Sequence, residues 1–249
     1  MSSGPIALFV PCFVEHLAPA TLDNLRMLLA RLGVEHVVPP GQTCCGQPSF
    51  NAGFFAEAAS CAEHLVRLFE PYAAVVAPSA SCVAMVRHYP ALREIDPALM
   101  AATEALARRT FEICEYLVEQ RGVTDVGASY HGAVAYHDAC HALRQLDLRD
   151  QPRALLRQVD GLELRELPGP PQCCGFGGTF SVKYPELSAD MADAKLSALA
   201  ATGTHTLVST DLSCLQHLEA RARRRALPFE GLHVIDLLAA GAGSERGAR

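Results

Sequence analysis

The chain has 249 residues, 50% of them hydrophobic and 19% charged, and its formal net charge is −6. A chain of this length can form one or two domains with hydrophobic cores and needs no cross-links. The acidic balance argues against a nucleic-acid surface, which requires a concentrated basic face. No apolar run approaches the ~20 residues that span a bilayer, and the first residues lack the pattern of a signal peptide. We therefore expect a globular cytoplasmic protein that binds no nucleic acid and has no direct membrane span.

In the first half of the chain, short apolar segments alternate with segments of helical apolar spacing. Strands are predicted at 6–11, 34–38 and 73–77, and helices at 18–32 and 52–69. A further helical pattern predicts one long linking helix over 97–121. Strands that alternate with helices favour a parallel sheet with right-handed crossovers.

The second half repeats this order. Strands are predicted at 133–137, 162–167 and 206–209, and helices at 152–159 and 186–201. The predicted fold class is therefore α/β, with two duplicated Rossmann-like half-domains of parallel strands related by pseudo-two-fold symmetry. We expect the first unit with its linking helix to span 1–125, the second unit 126–242, and a flexible tail 243–249.

Eight of the ten cysteines form two copies of one pattern, a single cysteine, then Cys-Cys-Gly, then another single cysteine. The two sets are Cys12, Cys44, Cys45 and Cys82, and Cys140, Cys173, Cys174 and Cys214. Equivalent cysteines lie 128, 129, 129 and 132 positions apart, which indicates a duplicated structural unit. Because each cysteine or pair follows a predicted strand, the four thiols of a unit should meet at the carboxyl ends of its strands.

Many cysteines in one chain suggest either disulfides or metal binding. Adjacent cysteines have Cα atoms about 3.8 Å apart, short of the roughly 4.4–6.8 Å usual between disulfide partners. In a reducing compartment, clustered cysteines more often bind metal or take part in redox chemistry. Four cysteines suit an iron–sulfur cluster or zinc, and ligands more than thirty residues apart around a contiguous pair favour the wider iron–sulfur cluster. Zinc at one or both sites is the alternative.

Glycines and histidines beside these cysteines are further candidates. Gly46 and the segment 175–178 let the backbone approach and aim N–H groups at cluster sulfur atoms. The richer glycine supply predicts that the second centre is the more easily reduced. Three histidines near the ligand cysteines either donate hydrogen bonds or relay protons at the sites, or are structural or solvent-facing: His16, His137 and His141. Cys61 and Cys114 fall within helical patterns, where a free cysteine most often belongs to the core.

The residues around the cysteines resemble the CCG-domain family of cysteine-rich iron–sulfur proteins, to which one of the subunits of heterodisulfide reductase belongs. The resemblance runs through Gly-Gln-Thr-Cys-Cys-Gly-Gln-Pro at 41–48, Ala-Pro-Ser-Ala-Ser-Cys at 77–82, and Cys-Cys-Gly-Phe-Gly-Gly-Thr-Phe-Ser-Val-Lys at 173–183. It implies that the first cysteine set binds one iron–sulfur cluster and the second set another, each expected to be 4Fe-4S. It also implies a part in oxidising L-lactate to pyruvate, with lactate-utilization proteins B and C as partners.

The sequence departs from the fuller family motif at one place. The third element of the heterodisulfide reductase motif is C-x-x-C, whereas the last position here is Met85 in the first unit and His217 in the second. Four-cysteine clusters are therefore expected, with His217 either a nitrogen ligand or a surface residue and Met85 a packing residue. Three functions stay open: an electron-transfer subunit, a catalytic reductase acting on a substrate through its clusters, and a zinc-binding scaffold. The sequence has no flavin or nicotinamide fingerprint, which argues against a hydride-transfer dehydrogenase working alone.

Overall fold

The computed structural model describes residues 4–241, which fall into two compact units that divide after Tyr116. Each unit contains a sheet of four strands, and all the strands of a sheet run parallel. The tail predicted at 243–249 lies outside the described residues.

The first unit is built on strands β1 to β4 in the spatial order β2-β1-β3-β4. The strands are β1 (Ile6–Leu8), β2 (His36–Val37), β3 (Val75–Ala77) and β4 (Thr110–Glu112). The helices are α1 (Cys12–Leu17), α2 (Pro19–Arg31), α3 (Gln47–Ala52), α4 (Phe55–Phe69), α5 (Ala80–His88), α6 (Met100–Arg108) and α7 (Ile113–Glu115). Ala7 is in register with Val37 on one side and Val75 on the other, and every residue of β1 and β3 is buried.

The second unit has the equivalent order, β6-β5-β7-β8. Its strands are β5 (Ser129–Tyr136), β6 (Asp160–Glu166), β7 (Thr206–Ser209) and β8 (Glu230–His233). Its helices are α8 (Cys140–Gln145), α9 (Asp150–Leu156), α10 (Phe180–Lys183), α11 (Pro185–Ala201), α12 (Leu212–Arg224) and α13 (Val234–Leu238). Ala135 on the central strand β5 is in register with Arg165 and with Leu207.

The matching topologies confirm the prediction of two duplicated α/β halves. In both units the first strand in sequence lies between the second and the third, so the strand order reverses beside it. In open parallel sheets ligands collect at such a switch point, outside the carboxyl ends of the strands. The six predicted strands are all present within a few residues of their expected bounds. The pseudo-two-fold axis stays a prediction.

The long linking helix predicted over 97–121 is wrong. A 3₁₀ turn at Pro97–Leu99 leads into α6, and residues 110–112 then pair with β3 as the strand β4. Leu99, Ala102 and Leu106 fit helical spacing, but Phe111 does not continue it, and a strand of three residues is too short to show a period of its own. Each sheet thus has a fourth strand that the sequence pattern did not reveal.

Candidate metal centres

The cysteines of the first unit follow its first three strands in the sequence, β1, β2 and β3. Cys12 is the first residue of α1, four positions after β1 ends, and Cys44 and Cys45 lie in the loop between β2 and α3. Cys82 is the third residue of α5. The backbone N–H of Cys82 donates to the Ser79 hydroxyl at 3.3 Å, which caps this helix. Helix N-termini favour thiolates, because their N–H groups carry partial positive charge.

The second unit places its cysteines at equivalent points. Cys140 is the first residue of α8, Cys173 and Cys174 lie in the loop between β6 and α10, and Cys214 is the third residue of α12. The loop N–H groups of Gly175 and Phe176 approach the sulfurs of Cys173 and Cys174 at 3.4 and 3.5 Å. In each unit, the first turns of two helices and one loop therefore present the four thiols.

Hydrogen bonds connect the four sulfurs of the first unit in the order Cys12, Cys44, Cys45, Cys82. Cys12 and Cys45 both donate to Cys44 and lower the pKa of that thiol to about 2. The same bonds, together with burial, raise the pKa values of Cys12 and Cys45. Cys44 is thus a thiolate that accepts hydrogen bonds from two protonated thiols, Cys12 and Cys45.

The second unit repeats this electrostatic arrangement. Hydrogen bonds from Cys140 and Cys174 lower the pKa of Cys173 to about 2, and the pKa values of the two donors are raised. Cys174 also hydrogen-bonds to Cys214. All ten cysteines of the chain are free thiols. The structure therefore brings together both predicted sets of four, and metal binding by them stays a prediction.

The turns after the cysteine pairs require glycine. Gly46 and Gly175 have φ angles of +83° and +92°, a left-handed conformation that side chains disfavour. A Cβ on Gly175 would lie 2.5 Å from the Ser188 carbonyl oxygen, and one on Gly46 would lie 3.0 Å from that of Ala58. Each Cys-Cys loop thus packs its backbone directly against a helix, α4 or α11.

Two buried polar side chains distinguish the second site: His137, which the sequence placed near the ligand cysteines, and Lys195, which the sequence did not indicate. His137 is fully buried, and one of its ring nitrogens lies within 4.8 Å of the sulfurs of Cys174 and Cys214. Burial, aided by the charge of Lys195, lowers the pKa of His137 to about 3. Lys195 on α11 is 4% exposed, and burial lowers its pKa while Cys174 and other charges near it oppose that shift.

The remaining histidines have different surroundings. His141 Nδ1 lies 3.6 Å from the Cys140 sulfur, whereas the His16 side chain is 71% exposed beside Glu15. The side chain of His217 points to Ser188, with Nε2 3.3 Å from the hydroxyl, and its ring lies 5.9 Å from that of Phe176. The buried donor group near Cys174 and Cys214 therefore contains His137 and not His217.

Three residues were expected to have packing roles: Met85, Cys61 and Cys114. Met85 and Cys114 are buried, as predicted. Cys61 was expected in the core but is only half-buried on α4, and its Cβ would be 3.3 Å from a Cβ built on Gly46. Cys61 faces the Cys-Cys loop because α4 packs against that turn.

The donor sets fit a thiophilic metal centre. Four thiols at helix ends and in a loop supply the thiolates that iron–sulfur clusters or zinc require. Both ring nitrogens of His137 are buried and lack a hydrogen-bond partner among the described residues. Such a group costs about 1–3 kcal/mol of desolvation unless a ligand satisfies it. A bound centre at the second site would satisfy one of the two ring nitrogens.

Comparison with known proteins identifies the class of this duplicated cysteine-rich fold. The model of the CCG cysteine-rich domain matches the chain twice, at residues 6–87 and 134–219. The lactate utilization protein A of Macrococcus caseolyticus (strain JCSC5402) is 40% identical over 233 residues, covering 94% of this chain and 95% of that protein. That of Bacillus subtilis (strain 168) is 38% identical over 237 residues, covering 94% and 98%. The chain belongs to the family of CCG cysteine-rich domain proteins that contains these lactate utilization A proteins.

A solved structure shares the fold. The crystal structure of a hypothetical protein from Helicobacter pylori superposes with a TM-score of 0.63 at 9% identity, covering 99% of this chain and 50% of that one. This chain thus spans half the length of that protein. Among residues 4–241, no helix is both long enough and apolar enough to cross a membrane.

Proposed function

We propose that the chain is the iron–sulfur electron-transfer subunit of an assembly that oxidises L-lactate to pyruvate. The convergence of four cysteine sulfurs in each of two equivalent units supports this proposal most directly. The names of the relatives at 38–40% identity supply the link to lactate. Lactate-utilization proteins B and C would be the partners, and the cytoplasm the compartment.

The first centre would be held by Cys12, Cys44, Cys45 and Cys82, and the second by Cys140, Cys173, Cys174 and Cys214. Iron–sulfur clusters, when bound, supply one-electron transfer over a wide range of potentials. The protein's part is to orient the thiols, to hold Cys44 and Cys173 as thiolates, and to exclude water from the site. The burial of Cys45 and Cys174 keeps water from the site. The N–H groups of the following turns donate to the sulfurs, as that of Gly175 does to Cys173.

One feature favours a second candidate function, a reductase that acts directly on a substrate. A cleft of about 410 Å³ in the second unit is lined by four cationic side chains and three carboxylates: Lys195, Arg149, Arg153, Arg157, Asp138, Asp150 and Glu166. Arg153 is already paired with Asp138 and Glu166 at 2.7–2.8 Å, but Lys195 makes no hydrogen bond or ion pair with residues 4–241. The cleft would accept a small anion beside the second centre.

Anaerobic reconstitution with iron and sulfide tests the proposal. We expect iron and sulfide to bind with visible absorbance that bleaches on chemical reduction. L-lactate should bleach it only when both partner proteins are added. Retention of zinc with no uptake of iron would overturn the proposal in favour of a scaffold. Substrate turnover by the isolated chain would favour the reductase.

A further inference from the structure

His137 occupies a position that the first unit gives to an apolar residue. It lies three residues before Cys140, as Phe9 lies three before Cys12. The backbone environments are the same, because Phe9 N–H donates to the Val76 carbonyl at 2.9 Å and His137 N–H to the Val208 carbonyl at 2.8 Å. Both side chains are 0% exposed. The two units thus differ in side-chain chemistry at one buried point beside the cysteines.

Packing explains Phe9 but not His137. The Phe9 ring meets that of Phe69 edge to face, with centroids 5.7 Å apart, and so completes a hydrophobic core. His137 Nδ1 and Nε2 have no hydrogen-bond partner in the described part of the chain. A buried imidazole with both nitrogens unsatisfied is destabilising unless something absent from the protein itself binds it.

The nearest groups with which His137 could share a ligand are sulfurs of the second site. Its nitrogen and the sulfurs of Cys174 and Cys214 all lie within 4.8 Å of one another, and all three residues are buried. Imidazole nitrogen and thiolate sulfur are common ligands of the same iron and zinc centres. His217, the histidine at the sequence position of a fifth thiolate, contacts Ser188 instead.

We propose that His137 is a fifth donor of the second metal centre, binding through a ring nitrogen beside Cys140, Cys173, Cys174 and Cys214. The first centre then has four sulfur donors and no nitrogen, because Phe9 fills the equivalent place. This inference rests on the proposed function only in so far as a metal centre forms at the second cysteine set.

Pulsed electron paramagnetic resonance on the reconstituted, reduced chain tests it. Cys44→Ser removes the first centre, so that the remaining signal comes from the second. With ¹⁵N-labelled histidine we expect a strong nitrogen hyperfine coupling of the labelled isotope. His137→Phe, which copies the first unit, should abolish the coupling while iron content stays near that of the parent. Matched variants His141→Phe and His217→Phe should keep it.

Absence of a strong coupling, or its persistence in His137→Phe, would overturn the proposal. If His137→Phe does not fold, His137→Gln replaces it, since the amide is polar but has no ring nitrogen. If neither parent nor variant takes up iron, the proposed function fails, and the inference is then tested with Co²⁺. The d–d absorption of Co²⁺ bound at the second site should change in His137→Phe. An unchanged spectrum would refute His137 as a nitrogen ligand.

Discussion

Cys44 and Cys173 carry the negative charge of the metal-free sites. Each accepts hydrogen bonds from the thiols on either side, which lower its pKa to about 2. The donors are held protonated in consequence. A metal centre requires these thiols as thiolates, so loading must release their protons.

We therefore expect metal affinity to weaken as the pH is lowered. The pKa values of Cys12 and Cys45 are raised, and both thiols are protonated at neutral pH. Where two protons compete with one metal ion, apparent affinity falls about hundredfold for each pH unit of acidification. Calorimetric Zn²⁺ titrations in buffers of different ionisation enthalpy measure the protons released. Cys61→Ser is the control and should release as many, and loading without proton release would contradict the assignment.

Gly175 sets the shape of the second Cys-Cys turn. Gly175→Ala should destabilise the protein by about 2–3 kcal/mol, because a left-handed alanine costs about 1–2 kcal/mol and its Cβ also meets the Ser188 carbonyl. Gly178→Ala is the matched control, with φ of +61° and open space around the added Cβ. Urea unfolding of the metal-free variants measures the difference, and equal losses would show that the close approach is unimportant.

α4 and α11 are equivalent helices, but the faces that they pack against the Cys-Cys turns differ in their side chains. Gly46 packs against Ala58 and Cys61 of α4, and Gly175 against Ser188 and Met191 of α11. Because equivalent residues of the two helices lie 130 positions apart, Leu65 of α4 corresponds to Lys195 of α11. A buried ammonium thus stands near the second site where the first has a buried leucine.

Lys195→Leu should stabilise the metal-free chain and lower the reduction potential of the loaded second centre. Removing a buried charge should raise the free energy of unfolding of the metal-free chain by about 1–3 kcal/mol. The reduced cluster is the more negative state, so loss of a cation should lower the potential of the second centre by roughly 50–100 mV. Redox titration followed by electron paramagnetic resonance, with exposed Lys183→Leu as control, measures this. An unchanged potential would exclude an electrostatic role.

The elements show why the sequence predicted some features and missed others. Strands such as β1 and β3 are continuous apolar runs between turn residues, and the duplicated cysteine spacing predicted which thiols lie near one another. β4 and β8 were missed because Thr-Phe-Glu and Glu-Gly-Leu-His show neither an apolar run nor a sustained alternation. The role of His137 was not evident because its burial and unsatisfied nitrogens depend on residues distant in sequence.

For the whole molecule, the important fact is that each donor set comes from one unit only. Residues 12–82 supply the first set and residues 137–214 the second, on either side of the division after Tyr116. Neither centre borrows a cysteine from the other unit. Loss of one centre should therefore leave the donors of the other intact.

We expect Cys44→Ser and Cys173→Ser each to lose about half of the bound iron and one of two spectroscopic signals, since a four-cysteine site rarely survives removal of a thiolate. Cys114→Ser should lose neither, because Cys114 is a buried core residue. Iron analysis after anaerobic reconstitution gives the count. Loss of both signals in either variant would mean that the centres form cooperatively.

The burial of Lys195 also governs how the chain reacts with chemical labels. Only two side-chain amines exist in the sequence, those of Lys183 and Lys195, and one is exposed while the other is 4% accessible. An acylating reagent should therefore modify Lys183 quickly and Lys195 slowly, because it can reach Lys195 only through the cleft that this side chain lines or when the second unit opens. Peptide mass spectrometry of the acylated chain measures the two acylation rates, and the rate at Lys195 reports how often this side chain becomes accessible. Equal reaction of both amines would show that Lys195 is not enclosed in solution.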